Sequence, residues 1–151
     1  MVSGPQPLSL LEEALEQMSF RVEPGRYCLF GIPGRPDPSL FEQLAATDGG
    51  PPAQIVFEPD ETTLLVREEL ASEIARAHPT ASAETDLVWI RFSAPMAWDL
   101  VGFLALVCGR LAAAGVPVGA VCGFSRDHLF LAEGYLETAR MVLSQVCPEE
   151  V

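Results

Sequence analysis

Apolar and polar positions change period several times along this chain, and each change marks an element. Residues 87–133 show it most plainly. They open with Val88, Ile90 and Phe92 on one face and Leu87, Trp89 and Arg91 on the other, the period of a half-buried strand. Leu100, Phe103, Leu104, Val107, Cys108 and Leu111 then recur at three- and four-residue spacing. That spacing predicts a helix capped by Asp99 and stopped at Gly115, with Pro117 beyond it. Residues 116–124 and 128–132 read as two strands joined by the polar turn Ser125-Arg126-Asp127, and residues 136–146 as an amphipathic helix.

The earlier part of the chain has a similar grammar. Ser9 and Glu12 form an S-x-x-E capping box, and Leu11, Leu15 and Met18 line one side, so residues 9–18 predict a short helix. A strand over 8–11 is the alternative. Residues 19–23 and 26–32 predict two strands turned at Pro24-Gly25. Residues 31–38 are too rich in proline and glycine for an element, and Ser39 caps a predicted helix over 40–46. Residues 48–52 are a loop. Strands over 53–58 and 62–67, turned at Pro59-Asp60-Glu61, lead to a helix over 68–77 with Leu70 and Ile74 inward. It ends at His78 because the residue before a proline leaves the helical region. Residues 79–86 are small or polar and predict a linker.

On either side of that linker the order is strand, helix, strand, strand, helix, with an acidic turn between the paired strands. The expected fold class is therefore α+β: two ferredoxin-like βαββα units forming a joined antiparallel sheet with helices packed on one face. The expected divisions are an N-terminal extension 1–18 and repeats over 19–80 and 81–151.

Composition narrows what such a protein does. At 151 residues and 49% hydrophobic content, a core is available. Nine basic residues against twenty-one acidic ones give a net charge of −12, whose field repels nucleic acid and anionic membrane. Neither is an expected partner. The four cysteines, Cys28, Cys108, Cys122 and Cys147, show no CxxC or Cys/His spacing and read as free thiols of a cytoplasmic protein. No signal peptide is visible, because Glu12, Glu13 and Glu16 interrupt the first apolar stretch. The longest apolar run, 100–108, is far below the roughly 20 residues of a membrane span.

PMAW-x3-G-F-x11-GVPVGAVCGFSRDHLFLAE, followed by an amphipathic helix, resembles the ACT-domain proteins of the CASTOR type. GRYCLFGIP with IVFEPDETTLLVREE resembles their preceding ACT-like repeat, so the likeness spans residues 18–146. The resemblance implies paired βαββαβ-related units that sense a small molecule, typically an amino acid, without catalysis. The family pattern carries Ser/Thr-Phe/Tyr-x-x-Asp before the last strand. Phe124-Ser125-Arg126-Asp127 keeps the aromatic and the acid, with Gly123 in place of the hydroxyl.

The residues support a ligand site on their own terms. Unpaired N–H groups near Leu100, Val101 and Gly102, at the expected helix start, suit a carboxylate, and Asp127 suits an ammonium. Together they match an α-amino acid, and the resemblance to ACT-like units, in which the loop after the first strand meets a neighbouring unit, implies that it is held where repeats or subunits meet. The expected ligand-binding set is Met96, Ala97, Trp98, Asp99, Leu100, Val101, Gly102, Phe124, Ser125 and Asp127, with Asp60 and Glu61 at the equivalent turn. Structural roles compete for several of these. Asp99 suits a helix cap, Trp98 a staple onto Phe103, Gly102 close helix–sheet packing, and Asp60 and Asp127 simple turns.

Enzyme chemistry has little to build on. Cys122 and His128 pair only on paper, since no third group orients the histidine. GIPGRP at 31–36 is proline-locked, and there is no P-loop, no GxGxxG and no metal motif. No catalytic residue, metal or cofactor is expected. The reading is a regulatory sensor, working as a homo-oligomer or with a protein partner; a ligand-free dimerisation module is the alternative.

Overall fold

Val88, Ile90 and Phe92 are fully enclosed, as their alternation requires, and the elements around them follow from where their apolar positions can be covered. The computed structural model describes residues 7–46 and 54–150. The loop predicted over 48–52 lies outside them, as does the first residue of the strand predicted over 53–58.

In chain order the elements are α1 (Pro7–Glu16), β1 (Phe20–Pro33), α2 (Ser39–Ala45), β2 (Gln54–Phe57), β3 (Glu61–Arg67), α3 (Ala71–Ala77), β4 (Ser82–Phe92), α4 (Phe103–Ala113), β5 (Gly119–Cys122), β6 (Asp127–Ala132) and α5 (Leu136–Leu143). Short 3-10 turns, Glu68–Leu70 and Glu133–Tyr135, precede α3 and α5. The chain divides into two compact units, Met1–Pro24 with Val88–Val151, and Gly25–Leu87. Both long strands, β1 and β4, contribute residues to each.

In the first unit β4 lies between β1 and β6, with β5 outermost, paired antiparallel to β6 from Gly119↔Phe130 to Cys122↔Asp127. Its core joins Val88, Ile90 and Phe92 to Phe103, Val107 and Leu111 of α4, Leu129 and Leu131 of β6, and Ala139 and Leu143 of α5. Phe103 meets Phe92 edge to face, ring centroids 4.9 Å apart. Leu11 and Leu15 of α1 pack on this core. The C-terminal segment returns beside β1, where Phe20 N–H donates to Pro148 O at 3.0 Å and Glu150 N–H to Phe20 O at 2.7 Å.

In the second unit β3 lies between β2 and β1, antiparallel to both. Cys28, Phe30 and Ile32 of β1 and Leu64 and Val66 of β3 are covered by Leu40 and Leu44 of α2 and Ile74 of α3. The hairpin of each unit closes alike: Glu58 N–H donates to Glu61 O at 2.9 Å, and Gly123 N–H to Arg126 O at 2.8 Å. The 3-10 turn entering each last helix is also alike, Arg67 at φ −63°, ψ 145° and Ala132 at φ −63°, ψ 140°.

Several expectations are corrected. Pro24-Gly25 makes no hairpin: β1 runs through it as one 14-residue strand, and Gly25 absorbs the irregularity at φ 96°, which costs a glycine little. Residues 82–86, expected in the linker, are the first half of β4, because pairing beside β1 imposes the extended state on residues with little preference for it. Helix α1 begins at Pro7, so Ser9 lies inside it and not at its cap. Ser39 is the first residue of α2, and the capping bond comes from Asp37, whose Oδ1 accepts Ser39 N–H at 2.9 Å. Helix α5 ends at Leu143, short of the expected Val146.

Candidate small-molecule site

The loop after β4 and the turn between β5 and β6 are tied together within the first unit. Met96 N–H donates to Ser125 O at 2.8 Å, and Arg126 Nε donates to Ser93 O at 3.2 Å. Between them and the start of α4 lies a cleft of about 220 Å³. Of the residues expected to bind a ligand, Met96, Ala97, Trp98, Leu100, Gly102, Phe124 and Asp127 line it. Phe103, Leu104, Ala105, Cys122, Gly123 and Arg126 complete the wall.

Ser125 contributes only through its carbonyl bond to Met96, and Asp99 and Val101 are exposed outside the lining. Asp60 and Glu61 belong to the second unit, where Glu61 folds over Gly31 beside a separate recess of about 210 Å³. They take no part in the first unit's cleft.

The helix start differs from its expected form. Asp99 makes no cap; α4 begins at Phe103, and Gly102 takes the N-cap position at φ 95° without any side-chain cap. The Leu100 N–H is already bonded to Ala97 O at 3.0 Å. The first amides of α4, on cleft residues Phe103, Leu104 and Ala105, lack partners within the helix and are a set able to meet an anion. Leu11 Cδ2 lies 3.5 Å from the position a Gly102 Cβ would take, so α1 closes over this corner. Trp98 is no staple onto Phe103: it is 88% exposed, and Phe124 is 92% exposed.

Arg126 was missed from the sequence because it reads as an ordinary turn cation. Among the described residues its guanidinium makes one hydrogen bond, through Nε, and neither it nor Asp127 joins an ion pair. The cleft thus holds adjacent charges of opposite sign, each open to a ligand. The neighbouring Asp127 carboxylate, together with burial, pushes the Cys122 thiol's pKa up. Burial likewise raises Cys28 and Cys108, and takes Cys147 to about 11. Thiols so shifted are protonated at neutral pH and poor nucleophiles.

His128 faces away from nucleophilic use as well. Trp89 Nε1 donates to its Nδ1 at 3.2 Å, which places the ring proton of the neutral form on Nε2. Burial lowers its pKa from 6.5, and the Arg91 charge lowers it further. Arg91 itself meets Glu23, 3.4 Å away, and Glu23 also pairs with Arg21. Among the described residues no group of three or more His, Cys, Asp or Glu side chains is placed to hold a metal ion. No helix there is long and apolar enough to cross a membrane.

No protein-family model matches the chain, and no curated protein matches it. Solved structures do. An Agrobacterium tumefaciens protein matches with a TM-score of 0.69 at 19% identity, over 88% of this chain and 92% of its own. A Vibrio cholerae protein of unknown function, described as a possible transport protein, gives 0.68 at 20% identity over 93% and 98%. The ligand-free regulatory subunit of aspartate kinase from Thermus thermophilus gives 0.60 at 12% identity over 85% and 97%.

The chain has an ACT-like fold. Within that ACT-like fold the cleft lies beside the β5–β6 turn and the start of α4, built wholly from the first unit.

Proposed function

We propose that this chain is a non-catalytic regulatory protein that binds a small molecule, an α-amino acid, in the cleft of its first unit. One observation carries the reading: Arg126 and Asp127, adjacent, oppositely charged and outside any ion pair among the described residues, border the cleft together with the first turn of α4. An α-amino acid presents both complementary charges on one carbon. Its carboxylate meets Arg126 and the α4 amides, and its ammonium meets Asp127. At about 220 Å³ the cleft is below the range of drug-sized sites and suits a metabolite of this size. The aspartate kinase regulatory subunits that share the fold support a regulatory role.

The tandem arrangement belongs to the same proposal: an extension over 1–18, then ACT-like repeats of the CASTOR type over 19–80 and 81–151, in a cytoplasmic homo-oligomer or bound to a protein partner. Its support is the recurrence of the hairpin closure and of the 3-10 entry to the last helix in each unit. Ligand acts by its differential affinity for two arrangements of the protein, one of which the partner reads.

A thermal-shift panel of the twenty amino acids tests the reading. A bound amino acid at about 100 times its dissociation constant adds about 2.7 kcal/mol and raises Tm selectively. A flat panel would sink it and favour a ligand-free interaction module, the second reading, for which the exposure of Trp98 and Phe124 speaks.

A further inference from the structure

The walls of the first unit's cleft carry more than the two charges. Met96, Leu100, Phe103 and Leu104 are buried or half-buried, belong to the unit's apolar core and its fringe, and turn part of their surface to the cleft. Among the described residues, the only ionisable groups in the lining are Arg126, Asp127 and the Cys122 thiol, which is neutral at pH 7. Once an α-carboxylate and an α-ammonium have met Arg126 and Asp127, no charged group of the lining remains to meet a charged side chain. A lysine, arginine, aspartate or glutamate side chain finds no charged partner on this lining and gains little from its methyl, thioether and phenyl groups. An aliphatic, thioether or phenyl side chain gains from the same surface in proportion to the apolar area it buries.

Resting on the reading above, we infer that the ligand is an α-amino acid with an uncharged, apolar side chain of the leucine, isoleucine, methionine or phenylalanine class. Leu104 is the residue through which this preference is read. It sits on the first turn of α4 beside the amides that receive the carboxylate, only half-buried, so a longer polar side chain is accommodated there without opening the core.

Isothermal titration of the full chain with Leu, Ile, Met and Phe, against Lys, Arg, Asp, Glu, Ser and Asn, tests the inference, with Leu104→Glu run in parallel. The expected result is binding by the apolar set at least ten-fold tighter than by any charged or polar amino acid. In Leu104→Glu the apolar set should lose at least ten-fold while Lys or Arg gains. Tightest binding by a charged or hydroxyl amino acid, abolished by Asp127→Asn, would overturn the side-chain inference and leave the amino-acid reading intact. No binding by any of the ten, with a flat thermal-shift panel for the other ten, would overturn both. Apolar binding that is unchanged in Leu104→Glu and in Asp127→Asn would place the site elsewhere and overturn the assignment of this cleft.

Discussion

Met96 donates its backbone N–H to the carbonyl of Ser125, 2.8 Å away, although 29 residues and a whole helix separate them in sequence. That bond and the Arg126–Ser93 bond tie together two loops that both border the cleft. Small changes at the β5–β6 turn should therefore reach the proposed ligand site. At Gly123 a Cβ would lie 2.9 Å from the Arg126 carbonyl oxygen, a backbone atom that cannot swing away. Gly123→Ala is expected to cost about 1–3 kcal/mol by overpacking and to weaken amino-acid binding, read by urea denaturation and titration calorimetry. Unchanged stability would show that the turn tolerates displacement.

Two glycines around α4 should respond in opposite senses. Gly109 sits inside the helix, and among the described residues nothing comes within 4 Å of where an alanine Cβ would lie, so Gly109→Ala should stabilise by about 0.5–1 kcal/mol. Gly102 holds φ 95° at the N-cap, where Gly102→Ala is strained and should destabilise by about 1–2 kcal/mol. Denaturant midpoints of the two variants check the sign of each.

Asp127→Asn removes the proposed ammonium partner and should weaken amino-acid binding by about ten-fold or more, the scale of a hydrogen bond to a charged group. Asp60→Asn, at the matching turn of the second unit, should leave it unchanged. Equal loss in both variants would mean that the acidic turns act alike.

The four thiols should label in a set order. Cys122 is exposed, while Cys28 and Cys147 are buried, so maleimide followed by mass spectrometry should mark Cys122 first in the folded protein. Its pKa is raised chiefly by the neighbouring Asp127 carboxylate. Asp127→Asn removes that charge, so the thiolate fraction at pH 7 and the labelling rate should rise several-fold; a slower rate would contradict that influence.

His128 makes stability depend on pH. Its folded pKa is depressed below 6.5 by burial, so the unfolded chain binds the proton more readily. Its contribution is complete above pH 6.5 and is lost as pH falls through the folded value. Tm should therefore drop on acidification below pH 6.5, and His128→Gln, which does not titrate, should lessen that drop. An identical slope in the variant would assign it to the carboxylates.

Much of this protein was legible as pattern. The alternation at Val88, Ile90 and Phe92 and the three-four spacing from Phe103 to Leu111 each name a buried face, because period alone decides which side chains share a side. The paired strands and their turns follow likewise. What local pattern misjudged were places where a distant partner outweighs a local preference. Pro24-Gly25 reads as a turn but continues a strand, residues 82–86 read as linker but extend β4, and Asp99 is a good cap that caps nothing.

The sequence by itself determined most of the elements and the apolar faces they bury, since these depend on side-chain chemistry repeated at short range. Only the tertiary structure decided that β1 and β4 each serve both units, that Gly102 and not Asp99 opens α4, and that the turn carrying Arg126 and Asp127 borders the cleft beside the start of α4. Those outcomes depend on hydrogen bonds between residues far apart in the chain, and no local pattern records which loops will meet.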